Sequence, residues 1–145
     1  VDDCLTFARM LLNGGAVNGV RVLSEESVAA MRSDRLADEQ KRQPFLGAPF
    51  WIGRSFGLNL SVITDPARSA PLFGPGGLGT FSWPGAYGTW WQADPANDLV
   101  VIYLIQNYPD QSASKAAAVA GNTSLARLQS VQPKFLRRTY AALNL

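Results

Sequence analysis

The sequence predicts an α+β fold, in which an antiparallel sheet is flanked by helices. Helical patterns occupy both ends of the chain, whereas the strand patterns lie together in the middle, between residues 54 and 106. The last two strand patterns flank the short turn Asp94–Asp98, which is typical of antiparallel pairing because parallel strands need a long crossover. The 145 residues fit a single globular unit.

Two helices are predicted at the start of the chain, over residues 3–13 and 25–33. The first is capped by Asp2 or Asp3 and ends at the glycine pair 14–15. The second is capped by Ser24, and its first turn is acidic, which the helix dipole favours. Each helix has an apolar stripe that needs a sheet to pack against.

Strands are predicted at about residues 54–64, 80–83, 87–93 and 99–106. The first has apolar side chains at every second position, and the last is apolar on both faces, as in a covered central strand. We assign residues 34–49 and the stretch from Asp65 to Gly79 to loops, and Asp94–Asp98 to a hairpin turn. A final helix covers about 124–145, with Pro133 kinking or restarting it. These helices are few for a sheet with two apolar faces.

Composition excludes several classes of function. The net charge of +2, with scattered basic residues, does not favour nucleic acid or an anionic membrane as a partner. The absence of histidine excludes a Ser-His-Asp triad, and one cysteine without histidine argues against a zinc site. No apolar run is long enough for a membrane span, and no signal peptide opens the chain. Because Val1 already lies in helix-like sequence, we expect the chain to begin inside a larger domain.

Three sequence patterns can each be interpreted as a functional site or, more simply, as a structural feature or a chance match. The segment Gly74–Gly79 matches G-x-G-x-x-G, but a strand rather than a helix is predicted after it, so we interpret it as a glycine loop beside a site strand. Ser112 and Lys115 match S-x-x-K outside the buried helix that this nucleophile motif requires, so we interpret the match as chance. Asp94 and Asp98 flank a turn and are expected for turn chemistry rather than as an acid/base pair.

The stretch 81–95 combines tryptophans with strand-breaking residues. Pro84 cannot donate to a sheet, and Gly85 permits a close backbone approach. An interrupted strand leaves amides such as those of Gly85 and Ala86 free to face a ligand, and free amides beside an aromatic wall suit an oxyanion hole. The alternative is an edge strand protected from aggregation, with the tryptophans as core. Composition does not choose between these two.

The same stretch resembles the C-terminal segment of the serine β-lactamase-related family, which includes class C β-lactamases, DD-peptidases and esterases of that fold. The matching residues are Phe81–Thr89, then Trp90-Trp91, Asp94-Pro95 and the apolar strand to Gln106. The opening 5–15 and the link 21–24 are also similar to this family. The resemblance implies that the fold is the C-terminal part of a penicillin-binding-protein-like transpeptidase fold.

The resemblance also implies a site. Trp83-Pro84-Gly85 stand where the family has its third motif, which is Lys-Thr-Gly or His-x-Gly, and often Trp-Gly-Gly in the esterases. Ala86, which follows, would give its backbone N–H to the oxyanion hole, and Trp83, Pro84, Gly85 and Tyr87 would contact the substrate. Since an indole cannot hold a carboxylate as an ammonium does, the resemblance favours neutral esters over β-lactams or peptide acids.

The family's nucleophile and base motifs, S-x-x-K and Tyr-x-Asn, are not found in their proper setting. We therefore expect one incomplete unit, residues 1–145, that is inactive alone and needs the N-terminal portion of the same protein. The parent protein would hydrolyse a small-molecule ester or β-lactam-like substrate without metal or organic cofactor. The alternatives are a non-catalytic module presenting Trp83, Trp90 and Trp91 to a peptide or glycan, and a pseudoenzyme. The sequence leaves the compartment, bacterial periplasmic, secreted or cytoplasmic, open.

Overall fold

The computed structural model describes residues 1–45, 47–108, 116, 119–128 and 131–145. The helices are α1 (Asp2–Leu12), α2 (Glu25–Met31), α3 (Asp38–Arg42), α4 (Pro66–Phe73), α5 (Thr123–Leu128) and α6 (Val131–Ala142). The strands are β1 (Ala16–Val17), β2 (Val20–Arg21), β3 (Arg54–Phe56), β4 (Ser61–Ile63), β5 (Phe81–Pro84), β6 (Trp90–Asp94) and β7 (Leu99–Tyr103). The predicted α+β class is confirmed.

Strands β3 to β7 form one antiparallel sheet in chain order, so each strand pairs with its sequence neighbour. Strands β5, β6 and β7 pair most extensively, because each consecutive pair is joined by a short hairpin loop. Strand β4 is shorter and reaches β5 only at Ser61–Ser82 and Val62–Phe81. Strands β1 and β2 form a separate small hairpin between α1 and α2.

Helices cover both faces of this sheet. On the first face, α1 and α2 contribute to a buried cluster that consists of Met10, Leu11, Val28, Leu60, Val62, Phe81 and Ala93. On the second face, α6 contributes to a cluster that consists of Phe50, Trp90, Val101, Leu136 and Tyr140. The sheet thus lies between two helical layers, which the apolar character of both its faces requires. In the ranges that the structure describes, no helix is both long and apolar enough to cross a bilayer.

The predicted strand 54–64 is wrong as a single element. The chain reverses between β3 and β4, where the Gly57 amide donates to the Leu60 carbonyl at 2.8 Å and Asn59 has a left-handed φ of 68°. Asparagine tolerates that conformation better than most residues, so the apolar alternation concealed a turn. The predicted strand 87–93 also begins too early, because residues 87–89 belong to the loop before β6.

Two segments assigned to loops contain helices instead. Helix α3 lies within 34–49, and α4 lies within the predicted loop that ends at Gly79. In α4 the Asp65 side chain accepts a hydrogen bond from the Arg68 amide at 3.1 Å, and Pro66 occupies the first turn. Asp-Pro begins a helix as readily as a turn, and Pro71 inside the helix hid its pattern.

The predicted final helix, 124–145, is described as two helices, α5 and α6. Pro133 lies in the first turn of α6, where proline's missing N–H has no intrahelical partner to lose. Ser112 and Lys115, the S-x-x-K match, lie outside the described residues.

Candidate functional site at the β5–β6 hairpin

The predicted site residues lie at and beside the turn between β5 and β6. The last strand pair is Pro84–Trp90, after which the Gly85 amide donates to the Thr89 carbonyl at 2.8 Å. The Gly88 amide then donates to the Gly85 carbonyl at 3.0 Å, and Gly88 has a φ of 83°. A three-residue loop, 86–88, that ends in a left-handed glycine is a common hairpin connection. The loop is therefore a compact, hydrogen-bonded turn.

One edge of this hairpin is open. Strand β4 pairs with β5 no further than Ser82, so Trp83 and Pro84 extend beyond it. A proline in that segment removes no hydrogen bond to β4, and this explains why the sheet tolerates it. The hairpin consequently ends in an edge that a ligand can approach.

Of the two backbone donors that the sequence suggested in the hairpin, one is free. The sequence suggested the amides of Gly85 and Ala86, but the Gly85 amide is bonded to Thr89. Ala86 is exposed, and its amide has no hydrogen-bond partner among the described residues. Gly85 also has no room for a side chain, since a Cβ there would collide with the Thr89 hydroxyl. The structure thus narrows the candidate donor to Ala86.

Trp83 packs on one side against other aromatic residues. It is half-buried, and its ring lies 5.1 Å from Phe56, 5.6 Å from Phe45 and 6.0 Å from Phe50. This aromatic group fills the space beyond the start of β4. Trp83 therefore supports the hairpin from below as part of an aromatic wall.

The neighbouring tryptophans belong to the core. Trp90 is 4% exposed, and its indole N–H donates to Gln92 Oε1 at 3.0 Å. Trp91 packs edge-on against Phe7 and Phe81 on the α1 side of the sheet. Because Trp90 is buried and satisfied, it cannot be presented to a peptide or glycan, as the binding-module alternative required.

Tyr87 stands at the tip of the hairpin. It is 57% exposed, and its ring contacts that of Tyr108 at 5.7 Å. The Asn107 amide donates to the Tyr87 carbonyl at 2.8 Å, which ties the segment after β7 to the loop. The hairpin tip is consequently held by the segment that follows β7.

Sequence reasoning missed a buried guanidinium beneath the hairpin. Arg54 is 1% exposed and donates to Ser69, Ser61 and Ser82 at 2.9, 3.2 and 3.0 Å. The guanidinium carbon of Arg54, Cζ, also lies 4.8 Å from the centre of the Phe73 ring. No carboxylate of the described residues forms an ion pair with it, and burial lowers the pKa of Arg54 to about 10. A lone arginine in a strand pattern gave no signal of this role.

Asp94 was predicted as a turn residue, and the structure shows a larger role. It is fully buried and accepts hydrogen bonds from the Tyr140 hydroxyl at 2.7 Å, the Gly77 amide at 2.9 Å and Asn97 at 2.8 Å. Burial alone would raise the pKa of Asp94, but these hydrogen bonds outweigh it, so the pKa is lowered. Burial, together with Asp94, raises the pKa of Tyr140.

The glycine loop 74–79 is occupied by this network. The Gly77 amide is bonded to Asp94, and the Pro75 carbonyl accepts from Gln92 Nε2 at 3.1 Å. Helix α4 precedes the loop, and β5 follows it. Since a phosphate-binding loop joins a strand to a helix and offers free amides, this loop is structural.

Comparisons with known proteins agree with this architecture. A family model described as Beta-lactamase matches residues 1–124. Two proteins of Mycobacterium tuberculosis, "Uncharacterized protein MT1414" (strain CDC 1551 / Oshkosh) and "Protein Rv1367c" (strain ATCC 25618 / H37Rv), are 74% identical to this chain over 144 residues. Each match covers 99% of this chain and 36% of the relative, so the chain spans about 36% of the length of those relatives.

A solved structure is also similar. EstCE1, described as a hydrolase with promiscuous acyltransferase activity, aligns with 74% of this chain and 24% of its own, at 27% identity and a TM-score of 0.56. The match to the family model extends from α1 through the whole sheet and includes the hairpin that carries Ala86. On these grounds the chain belongs to the Beta-lactamase family.

Proposed function

We propose that this chain is the C-terminal part of a serine hydrolase that cleaves ester bonds, or β-lactam and amide bonds, through an acyl-enzyme. The family match and the EstCE1 neighbour support a hydrolase-type function. The observation that carries the finer proposal is the free, exposed amide of Ala86 at the open end of β5. In this proposal the chain supplies the third-motif strand and half of the oxyanion hole.

The chemistry divides between this chain and the rest of the parent protein, by which we mean this chain with the additional length of its mycobacterial relatives. A serine there attacks the ester carbonyl while a Lys/Tyr pair accepts its proton. The carbonyl oxygen becomes an oxyanion, held by the serine's own amide and by the Ala86 amide. Collapse expels the alcohol with the returned proton, and water then releases the acid.

The residues around Ala86 shape the substrate site in this proposal. Trp83 offers an uncharged wall, which favours a neutral ester over a substrate with a carboxylate. Pro84 and Gly85 keep the strand edge low, because neither projects a flexible side chain over it. Tyr87, exposed at the tip, lines the acyl or leaving-group pocket.

The first experiment removes the backbone N–H of Ala86. Ala86 is the second residue of the four-residue turn 85–88, a position that proline suits. In the parent protein, we expect Ala86→Pro to lower kcat for p-nitrophenyl acetate by about 10²- to 10³-fold, the usual effect of losing one oxyanion donor. The matched control is Ala86→Ser, which keeps the N–H and should stay near the parent rate.

A fluorophosphonate probe separates the alternatives. We expect intact mass to show one adduct on the parent protein and none on this chain alone. An adduct on this chain would mean that it carries its own nucleophile, with Ser112 and Lys115 as candidates. A parent protein that takes no adduct would instead be a pseudoenzyme, and the hydrolase proposal would fail.

A further inference from the structure

A cavity lies beside the hairpin on the side of α5 and α6. Its volume is about 150 Å³, and one side of it is open to solvent. Its lining consists of Gly88, Thr89 and Trp90 from the hairpin, Tyr103, Ile105 and Asn107 from β7 and the segment after it, and Leu128 and Gln132 from the two last helices. None of the roles assigned above to Trp83, Ala86 or Tyr87 uses this space.

The size of the cavity limits what it holds. A protein cavity of about 150 Å³ with apolar walls takes up benzene. Most of the lining surface here is apolar, from Trp90, Ile105 and Leu128 among others. A ligand of six or seven heavy atoms therefore fits, and a drug-sized molecule does not.

The chemistry of the lining limits the ligand further. All the described residues that line the cavity are uncharged, so none of them would compensate a buried ion. Three polar side chains of the lining, Thr89, Tyr103 and Asn107, have no hydrogen-bond partner in the described parts of the chain. They can bond one hydroxyl or carbonyl group of a ligand whose body is apolar.

We infer that this cavity is a binding site for a small uncharged molecule with a benzene-sized apolar body and one hydroxyl or carbonyl group. The hairpin connects it to the candidate site, because Gly88 and Thr89 lie two and three residues after Ala86 in the same loop. The Ile105 side chain lies against Gly88, where a Cβ would be 3.7 Å from Ile105 Cγ1. A molecule bound in the cavity would thus contact the hairpin loop from the side of α5 and α6. This contact does not depend on catalysis.

Methyl NMR with phenol as the probe tests this inference. The isoleucines of the chain are Ile52, Ile63, Ile102 and Ile105, and of these only Ile105 lines the cavity. In the parent protein with ¹³C-labelled isoleucine methyl groups, we expect phenol to shift Ile105 in a saturable way and to leave Ile52 and Ile63 nearly unmoved. Shifts of equal size at Ile52, or shifts that never saturate, would show non-specific contact and overturn the proposal.

A matched pair of variants tests the location. Ile105→Trp fills the cavity and should weaken phenol binding by about tenfold or more, which corresponds to roughly 1.4 kcal/mol. Leu104→Trp adds the same ring to the neighbouring exposed residue, outside the lining, and should bind as the wild type does. An unchanged Ile63 methyl, from the core, checks that each variant is folded.

A third variant covers the case in which Ile105→Trp does not fold. Ile105→Ala enlarges the cavity and should retain phenol binding while admitting the bulkier 4-ethylphenol. Wild-type affinity in Ile105→Trp, or rejection of 4-ethylphenol by a folded Ile105→Ala, would overturn the proposal. None of these readouts requires turnover, so they are separate from the test of Ala86.

Discussion

Arg54 places a positive charge in the interior without a carboxylate to balance it. Three serine hydroxyls, from β4, β5 and α4, accept its hydrogen bonds, and aromatic rings surround it. One of its terminal nitrogens, Nη2, has no partner in the described residues. Neutral acceptors and ring faces offset only part of the cost of burying an ion, so its packing and its cross-links must supply the rest.

We therefore expect Arg54→Ala to lower the free energy of unfolding by about 2 to 5 kcal/mol, because it leaves a void and breaks the link between three elements. Arg54→Met should cost less, since it keeps most of the volume and removes the uncompensated charge. Urea unfolding measures both. Arg68→Ala, an exposed arginine of α4, is the control and should stay within about 0.5 kcal/mol of the wild type. Equal losses for Ala and Met would show that the charge itself is stabilising.

At the level of elements, the Asp94 carboxylate connects three parts of the chain. It joins the end of β6 to α6 through Tyr140 and to the glycine loop through Gly77. Gln92 reinforces the first link, because its Nε2 donates to the Tyr140 hydroxyl at 2.9 Å. The last helix is thereby fixed to the strand that follows the candidate site.

The lowered pKa of Asp94 has a consequence for stability against pH. A carboxyl group whose pKa is lower in the folded state stabilises the fold above its unfolded pKa, about 3.9, and loses that contribution as pH falls through the folded pKa. We expect Asp94→Asn to destabilise the protein at neutral pH and to approach the wild type as pH falls below about 4. Urea unfolding across that range measures it. Asp98→Asn, an exposed change of equal charge in the same turn, is the control and should stay within about 0.5 kcal/mol of the wild type at neutral pH.

The elements that the sequence predicted well have a strong local signal. Helices α1 and α2 and the β6–β7 hairpin lie close to their predicted positions, since caps, apolar periodicity and a turn sequence agree there. The missed elements, α3, α4 and the reversal between β3 and β4, depend on residues such as Pro66 and Asn59, which suit two conformations equally well. Tertiary contacts choose between those conformations, and a single sequence does not contain them in readable form.

The candidate site divides in the same way. The hairpin residues Trp83 to Tyr87 could be named from the sequence because the family resemblance marks them. Whether each amide is free or hydrogen-bonded could not be predicted from the sequence, because the Gly85–Thr89 bond follows from the register of β5 on β6. Arg54 and Asp94 were missed because their function depends on burial, which brings together residues far apart in the chain.

At the scale of the whole molecule, both faces of the sheet are covered, yet apolar side chains remain exposed. They include Phe7, Val20, Val22, Leu58, Leu104 and Tyr108. Strands β3 and β7 are the outer strands of the sheet. Exposed apolar surface of this kind marks sites of association, and the chain spans 36% of its mycobacterial relatives. We propose that the remaining length of the parent protein covers this surface.

We expect this chain alone to self-associate and the parent protein to be better behaved. Light scattering on both, at matched molar concentration, makes the comparison, with a mass above that of one chain expected for the shorter form. Its control is the same measurement in about 0.5 M arginine, which should reduce weak association driven by apolar contact. A monodisperse monomer of this chain would contradict the expectation and show that the exposed apolar side chains do not drive association.

The free amide at Ala86 has a consequence for how the residue at that position varies among natural sequences. A backbone donor does not depend on the identity of its side chain, so almost any residue except proline would serve there equally well. Natural variants should accordingly differ at residue 86, while Gly85 and Gly88, whose backbones shape the turn, should stay fixed. A catalytic contribution of this kind would escape any survey that ranks positions by their intolerance of change.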